Sequence, residues 1–324
     1  MNSGVLVSFE FFPPKDGPGE TKLLGEVLAK LSLFEPQFIS VTYGAGGSTR
    51  EGTHSTIRGL CERHVVAVPH LSMGNDDDIQ VLDLIRAYKK IGIDKILALR
   101  GDSPSGFGSS KIKNAANLIR LIRNEFGSDF EIIVAAYPEV HPDSKDLKTD
   151  ISFFKEKAEA GADSAITQYF YNADAYANYL DILEKNNIQI PIIPGVMPIN
   201  NVEGLLKMSK QCKAEIPRWL EYSLLERTNS TDLNQFCIEI VTKLCEKLIT
   251  YGASGLHFYT LNRWGATSRI CQNLGFNANS NEKAKSTLCK FGAHPWQSIY
   301  SGLQRLKLLD QGLKTHLRRK NPVL

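Results

Sequence analysis

The chain has 324 residues, 42% of them hydrophobic and 23% charged, with a formal net charge of +3. That is the composition of a soluble globular protein with room for one large domain or two ordinary ones. No apolar run reaches membrane-span length and no basic stretch leads into a signal-type core, so a cytoplasmic protein with no membrane partner is expected.

Six cysteines (Cys61, Cys212, Cys237, Cys245, Cys271 and Cys289) are scattered without a C-x-x-C or a Cys/His cluster. This argues against a disulfide framework, zinc and iron–sulfur chemistry, and no metal is expected. The charge is uneven. From Phe276 onward nine Lys and Arg face two acids, a local +7, so the first 275 residues are net acidic. The basic end, Arg318-Arg319-Lys320, reads as a solvated helix face or frayed terminus, and no nucleic-acid partner is expected.

The first apolar run is Val5 to Phe12, β-prone and stopped by Pro13-Pro14, neither of which can donate to a sheet ladder. Glu10 lies near its end among Phe9, Phe11 and Phe12. A carboxylate among rings needs a partner or a raised pKa. On this stretch alone the simpler reading is a salt-bridge partner or a solvated strand end; the alternative is an acid held ready for chemistry.

Similar runs follow at Phe38–Tyr43, Val65–Leu71, Lys95–Arg100, Glu131–Tyr137, Ser164–Tyr169, Ile190–Val196 and Gly255–Leu261, eight in all. Between them lie helical spacings such as Leu23-Leu24-Val27-Leu28-Leu31 and Ile79-Leu82-Ile85-Ile91, with Ile112 to Phe126 and Val202 to Met208 reading the same way. Near-continuous apolar strands joined by long helical connections mark a parallel sheet buried on both faces. Eight such units predict an α/β protein of the (β/α)8 TIM-barrel class. A doubly wound open sheet usually has fewer strands and a phosphate fingerprint where Pro13-Pro14 stands. The segment 276–324 is a basic C-terminal extension with a helix expected over Ile299 to Leu313, packed on the barrel or at an interface.

In such a barrel the active site lies at the C-terminal strand ends. Those ends carry Glu10, Thr42-Tyr43-Gly44, His70, Arg100-Gly101-Asp102, Tyr137-Pro138-Glu139, Gln168 and Tyr259 to Arg263. Any one of them has an ordinary structural explanation; the set together reads as a site. Gly44 to Thr49 is glycine-rich but lacks the lysine of a nucleotide P-loop. H-x-H, H-E-x-x-H and G-x-S-x-G are absent, and no strand-end lysine stands out for a Schiff base. What remains has acids, amides and aromatics but no nucleophile, the pattern of a site that borrows reactivity from an organic cofactor.

Several motifs occur in one order: Phe9 to Pro14, Val41 to Ala45, Pro69-His70-Leu71, Ala98 to Asp102, Ala135 to Pro142, Ala160 to Asp163, Ile166-Thr167-Gln168 and His257 to Arg263. In order and spacing they resemble the flavoprotein methylenetetrahydrofolate reductases over about residues 5–275. The resemblance implies a residue 1–275 barrel that binds FAD and reduces 5,10-methylenetetrahydrofolate to 5-methyltetrahydrofolate with NADH or NADPH in ping-pong fashion. It implies Glu10 as general acid and Asp102 as the carboxylate between flavin and folate. Thr42, Ala45, His70, Arg100, Gly101, Asp102, Ala115, Tyr137, His141, Asp150 and Lys157 resemble the FAD-binding set, and Gln168, Arg263 and Thr42 the folate-binding set. No residue reads the 2′-phosphate that separates NADPH from NADH; of the two, NADH is the expected donor by contrast with eukaryotic relatives that carry a large C-terminal regulatory domain, and a homo-oligomer is expected. The chain departs from the bacterial pattern at Asn114, Phe153, Glu156, Gly204 and Met208, positions at the adenine end of FAD and the outer wall of the folate pocket.

Overall fold

Pro13-Pro14 follows the first strand, β1 (Leu6–Phe11), and keeps it from running on. The computed structural model describes residues 4–43, 50–72, 77–100 and 114–276, all within one unit, Met1–Ala278. The expected helix at Ile299 to Leu313 lies outside the described residues. So does nearly all of the 276–324 extension, but Phe276 itself is 4% exposed and belongs to the barrel's core.

The remaining strands are β2 (Ile39–Val41), β3 (Ala67–Ser72), β4 (Lys95–Leu99), β5 (Glu131–Ala136), β6 (Ser164–Thr167), β7 (Ile192–Ile193), β8 (Gly195–Val196) and β9 (Gly255–Tyr259). All eight pairings among the nine strands are parallel. Their order, β7-β6-β5-β4-β3-β2-β1-β9-β8, is a ring cut at one place. The cut is Pro194. The seventh expected run is divided there because proline has no N–H for the ladder. Its first half pairs with β6 and its second with β9. Across the break the Gly195 N–H donates to Thr167 Oγ1 at 2.9 Å, and the Pro194 carbonyl accepts from the His257 N–H at 3.0 Å. The fold is therefore the expected (β/α)8 barrel, with nine strand segments made from eight runs.

Gly195 is required at this closure. A Cβ on it would lie 2.1 Å from the Thr167 carbonyl oxygen and 2.5 Å from a Tyr259 ring carbon. Only glycine allows that approach.

Helices cover the outside. Gly17–Lys22 (α1), a π turn at Leu23–Val27 and Leu28–Ser32 (α2) run consecutively and bury Leu23, Leu24, Val27, Leu28 and Leu31. After them come α3 (Arg50–Cys61), α4 (Asp78–Lys90), α5 (Ala115–Phe126), α6 (Leu147–Glu159) and α7 (Ala173–Lys185). The connection from β8 to β9 holds three helices, α8 (Val202–Cys212), α9 (Arg218–Leu225) and α10 (Ser230–Thr250), and α11 (Gly265–Asn273) follows β9. Asp77, Asn114, Asp146 and Asn201 cap the starts of α4, α5, α6 and α8 by accepting backbone N–H bonds. No helix among the described residues is long and apolar enough to cross a membrane.

Candidate active site

Strand alternation decides what surrounds Glu10. Side chains on a strand point to opposite faces in turn, so Phe9 and Phe11 lie on the face away from Glu10. The groups that meet its carboxylate come from other strands. Glu10 Oε2 is 3.4 Å from His70 Nε2 on β3 and 3.9 Å from His257 Nε2 on β9. His257 is held in turn by Ser8 Oγ at 2.7 Å from Nδ1 and by Ser40 Oγ at 3.4 Å from Nε2. Ser8 shares Glu10's face of β1, and Ser40 and Tyr259 are its register partners.

Glu10 is 6% exposed and His257 fully enclosed. Burial disfavours the charged form of each group. It lifts the Glu10 carboxyl from 4.5 to about 7, against the pull of His70. It lowers His70 despite the nearby carboxylate, and takes His257 down to about 3. The cluster is thus a carboxyl poised near neutrality between two neutral imidazoles, not an ion pair. The expectation of a raised pKa holds; its cause is burial in the closed barrel interior, which outweighs the lowering pull of His70.

The backbone around Glu10 is fastened on both sides. Thr260 Oγ1 donates to the Glu10 carbonyl at 2.6 Å. Asn262 clamps Phe12 with two bonds, accepting from its N–H at 2.9 Å and donating to its carbonyl at 2.8 Å. Leu261 and Asn262 adopt positive φ of 50° and 57° to make this reach.

Thr42 is buried at the exit of β2, and neither its Oγ1 nor the His70 Nε2 has a hydrogen-bond partner. A second group gathers at the exits of β4 and β5. Arg100 Nη2 meets Asp143 Oδ2 at 2.5 Å, the Asp143 N–H donates to His141 Nδ1 at 3.0 Å, and the His141 ring stands edge-on to Tyr137 at 4.4 Å. Burial, with Arg100 adding to it, holds His141 below its ordinary value. Two turns apart on one face of α6 are Asp150, which accepts from Ser144 Oγ at 2.8 Å, and Lys157, which donates to the Ala135 carbonyl at 2.6 Å. Burial brings the Lys157 ammonium down from 10.5 to about 8.

Gln168 follows β6, with its Oε1 turned back to accept from the Tyr169 N–H at 3.0 Å. Arg263 is exposed just past β9, and Ala115 opens α5. Ala45, Gly101 and Asp102 lie outside the described residues. Asn114 caps α5 through the Asn117 N–H at 2.9 Å. Phe153 is 52% exposed, and Glu156 pairs with Arg120 at 3.2 Å on the outer surface. Gly204 gives its N–H to the Asn201 cap at 2.5 Å, and the Met208 carbonyl accepts from Cys212 Sγ at 3.0 Å.

Sequence reasoning did not give His257, Ser8 and Ser40 a role. The signal that finds them is alternation: Ser8 is two residues before Glu10, and His257 two before Tyr259.

A model of the family described as methylenetetrahydrofolate reductase matches residues 2–275. The chain is 39% identical over 278 residues to the 5,10-methylenetetrahydrofolate reductase of Buchnera aphidicola subsp. Schizaphis graminum, covering 85% of this chain and 94% of that one. It is 36% identical over 273 residues to the enzyme of the same name from Escherichia coli K12, covering 84% and 91% respectively. Among solved structures, a protein from Clostridium thermocellum described as binding two copies of 5-methyl-5,6,7,8-tetrahydrofolic acid superposes with a TM-score of 0.62. That match covers 88% of this chain and 96% of the other at 15% identity, a likeness of fold.

Proposed function

The chain belongs to the methylenetetrahydrofolate reductase family, whose reaction is reduction of methylenetetrahydrofolate, and from that premise we propose how its own residues carry the reaction out. NADH or NADPH is the donor, FAD the bound carrier, and 5-methyltetrahydrofolate the product. Glu10 is the proton donor.

The residues fit a bound FAD. Two buried polar atoms without a hydrogen bond, Thr42 Oγ1 just past β2 and His70 Nε2 on β3, the latter 3.4 Å from Glu10 Oε2, are available to ring heteroatoms. Lys157 and Arg100 are the cations available to phosphates, and Tyr137 and His141 offer ring faces and edges. Asp150 and Ala115, with Ala45, Gly101 and Asp102 in the segments that follow β2 and β4, complete the proposed set. When bound, FAD supplies a carrier that takes hydride from the nicotinamide and gives it to the folate in two separate half-reactions.

The chain itself must deliver a proton. The five-membered ring of methylenetetrahydrofolate opens to an electrophilic iminium only when the leaving nitrogen is protonated, and hydride then completes the methyl group. An ordinary glutamate is almost wholly ionised at neutral pH. Burial between His70 and His257 leaves about half of Glu10 protonated near pH 7, the range in which a general acid works best. This observation carries the proposal. Because both imidazoles are held neutral, neither strips the proton by forming an ion pair. Gln168, Arg263 and Thr42 orient the folate, and an ionised Asp102 stabilises its cationic iminium.

The test is Glu10→Gln followed through both half-reactions at the flavin band, about 450 nm. Flavin content and its reduction by NAD(P)H are expected to stay normal, while folate reduction falls roughly 10²-fold or more. Normal folate turnover in the variant removes Glu10 from the role.

A further inference from the structure

We propose that Glu139 is a positioning residue: it latches the loop after β5, which carries Tyr137 and His141, to the segment after α8, fixing the cofactor side of the mouth against its folate side. The inference rests on the reductase reading above.

Tyr137, Glu139, Val140, Gln168, Cys212 and Lys213 line a cleft between these two segments. Two bonds cross it. Glu139 Oε2 accepts the Glu215 N–H at 2.8 Å, and Lys213 Nζ donates to the Pro142 carbonyl at 3.1 Å. The end of α8 is separately anchored beside Gln168, because Tyr169 OH meets Ser209 Oγ at 3.0 Å and Cys212 Sγ at 3.1 Å. Tyr169 therefore holds α8 to the exit of β6, and Glu139 and Lys213 hold the β5 loop to α8.

The latch is maintained against opposing terms, which a casual surface contact is not. The second carboxylate oxygen of Glu139 is buried without a partner. Next to it Val140 has φ +70°, a left-handed conformation that a β-branched residue adopts only where its surroundings force it. Both terms are relieved if the loop swings outward. What keeps it in place is the pair of cross-cleft bonds, and what the loop presents to the mouth is Tyr137 and His141. Loss of the Glu139 bond then leaves α8 and Glu10 in place and loosens only the β5 loop.

The test is hydrogen exchange and steady-state kinetics on the full chain. In Glu139→Ala, exchange of amides in 137–146 is expected to rise about tenfold while α8 stays at its normal rate. The KM for methylenetetrahydrofolate is expected to rise about tenfold with kcat within about twofold. Glu139→Gln, which keeps an acceptor oxygen for the Glu215 N–H, stays within about twofold of the parent in both measurements. Lys213→Met removes the other bond and produces the same loop-limited increase, so the latch remains testable if Glu139→Ala does not fold. Unchanged loop exchange in either variant, a Gln variant as damaged as the Ala variant, or a loss confined to kcat overturns the proposal. Exchange is measured without folate or nicotinamide. A parent protein unable to reduce methylenetetrahydrofolate therefore defeats the reductase reading while the exchange data still decide the latch.

Discussion

Replacing Glu10 by Gln should change stability in a way that depends on pH, and the sign follows from the barrel interior. The folded-state pKa is raised from 4.5 to about 7 by burial, so the folded protein binds this proton more tightly than the unfolded chain does. The contribution of Glu10 to stability is therefore complete below about pH 4.5 and is lost as pH rises to about 7, beyond which it changes no further. At about 1.4 kcal/mol per pH unit across that window, the loss is ~3 kcal/mol. Gln has nearly the same shape and does not titrate. The variant should thus gain on the parent by ~3 kcal/mol between about pH 4.5 and pH 8, equivalent to a melting-temperature gap that widens by roughly 6–12 °C. His70 and His257 are held below their ordinary values and titrate in the opposite sense, but both proteins contain them and their effects largely cancel in the difference. Urea unfolding of the two proteins at about pH 5 and about pH 8.5 makes the measurement. A stability difference that is the same at both pH values refutes the raised pKa, and with it the proton that the proposed chemistry requires.

Lys157→Met tests the cation assigned to the cofactor. Burial holds this ammonium down to about 8, so Met is expected to leave the flavin-free protein at least as stable at neutral pH while flavin retention drops about tenfold or more. Undiminished absorbance at about 450 nm through gel filtration counts against that assignment. Gly195→Ala tests the barrel's closure. Its Cβ would lie 2.1 Å from the Thr167 carbonyl oxygen, and since that atom belongs to a paired strand the cost is about 3 kcal/mol or more; an unchanged urea midpoint contradicts the close approach.

Much of the fold was legible because parallel barrel strands are buried on both faces and read as short apolar runs. Each expected run contains a strand, and most strands stop one or two residues before the run does. The exits differ from the run ends because Thr42, Tyr137, Gln168 and Thr260 each follow the last residue of a strand, where Thr42 and Gln168 still donate one backbone bond to the neighbouring strand and Thr260 spends its hydroxyl on the Glu10 carbonyl. The one run that divides is the one containing Pro194, where an N–H is missing and the chain changes partners from β6 to β9. Sequence marked the proline; that its neighbour must be Gly195 followed only from how close Tyr259 and Thr167 approach.

The site was legible in its strand-end positions but not in its pairings, and Glu10 shows why. Along the chain its neighbours are Phe9, Phe11 and Phe12, so a linear reading assigns its pKa to aromatic rings. In the barrel the adjacent rings face the other way; enclosure raises the pKa, and the groups that meet the carboxylate arrive from β3 and β9, as far as 247 residues distant at His257. Both are histidines, which in the open would compete for the proton. Enclosure reverses that competition, since a buried imidazolium is as unfavourable as a buried carboxylate. Each imidazole then remains neutral because charging it would place a cation in the buried barrel interior. The poise of the acid is thus a property of the closed ring of strands rather than of any single segment, and opening the ring at Gly195 should lower the Glu10 pKa even though no residue beside it has changed.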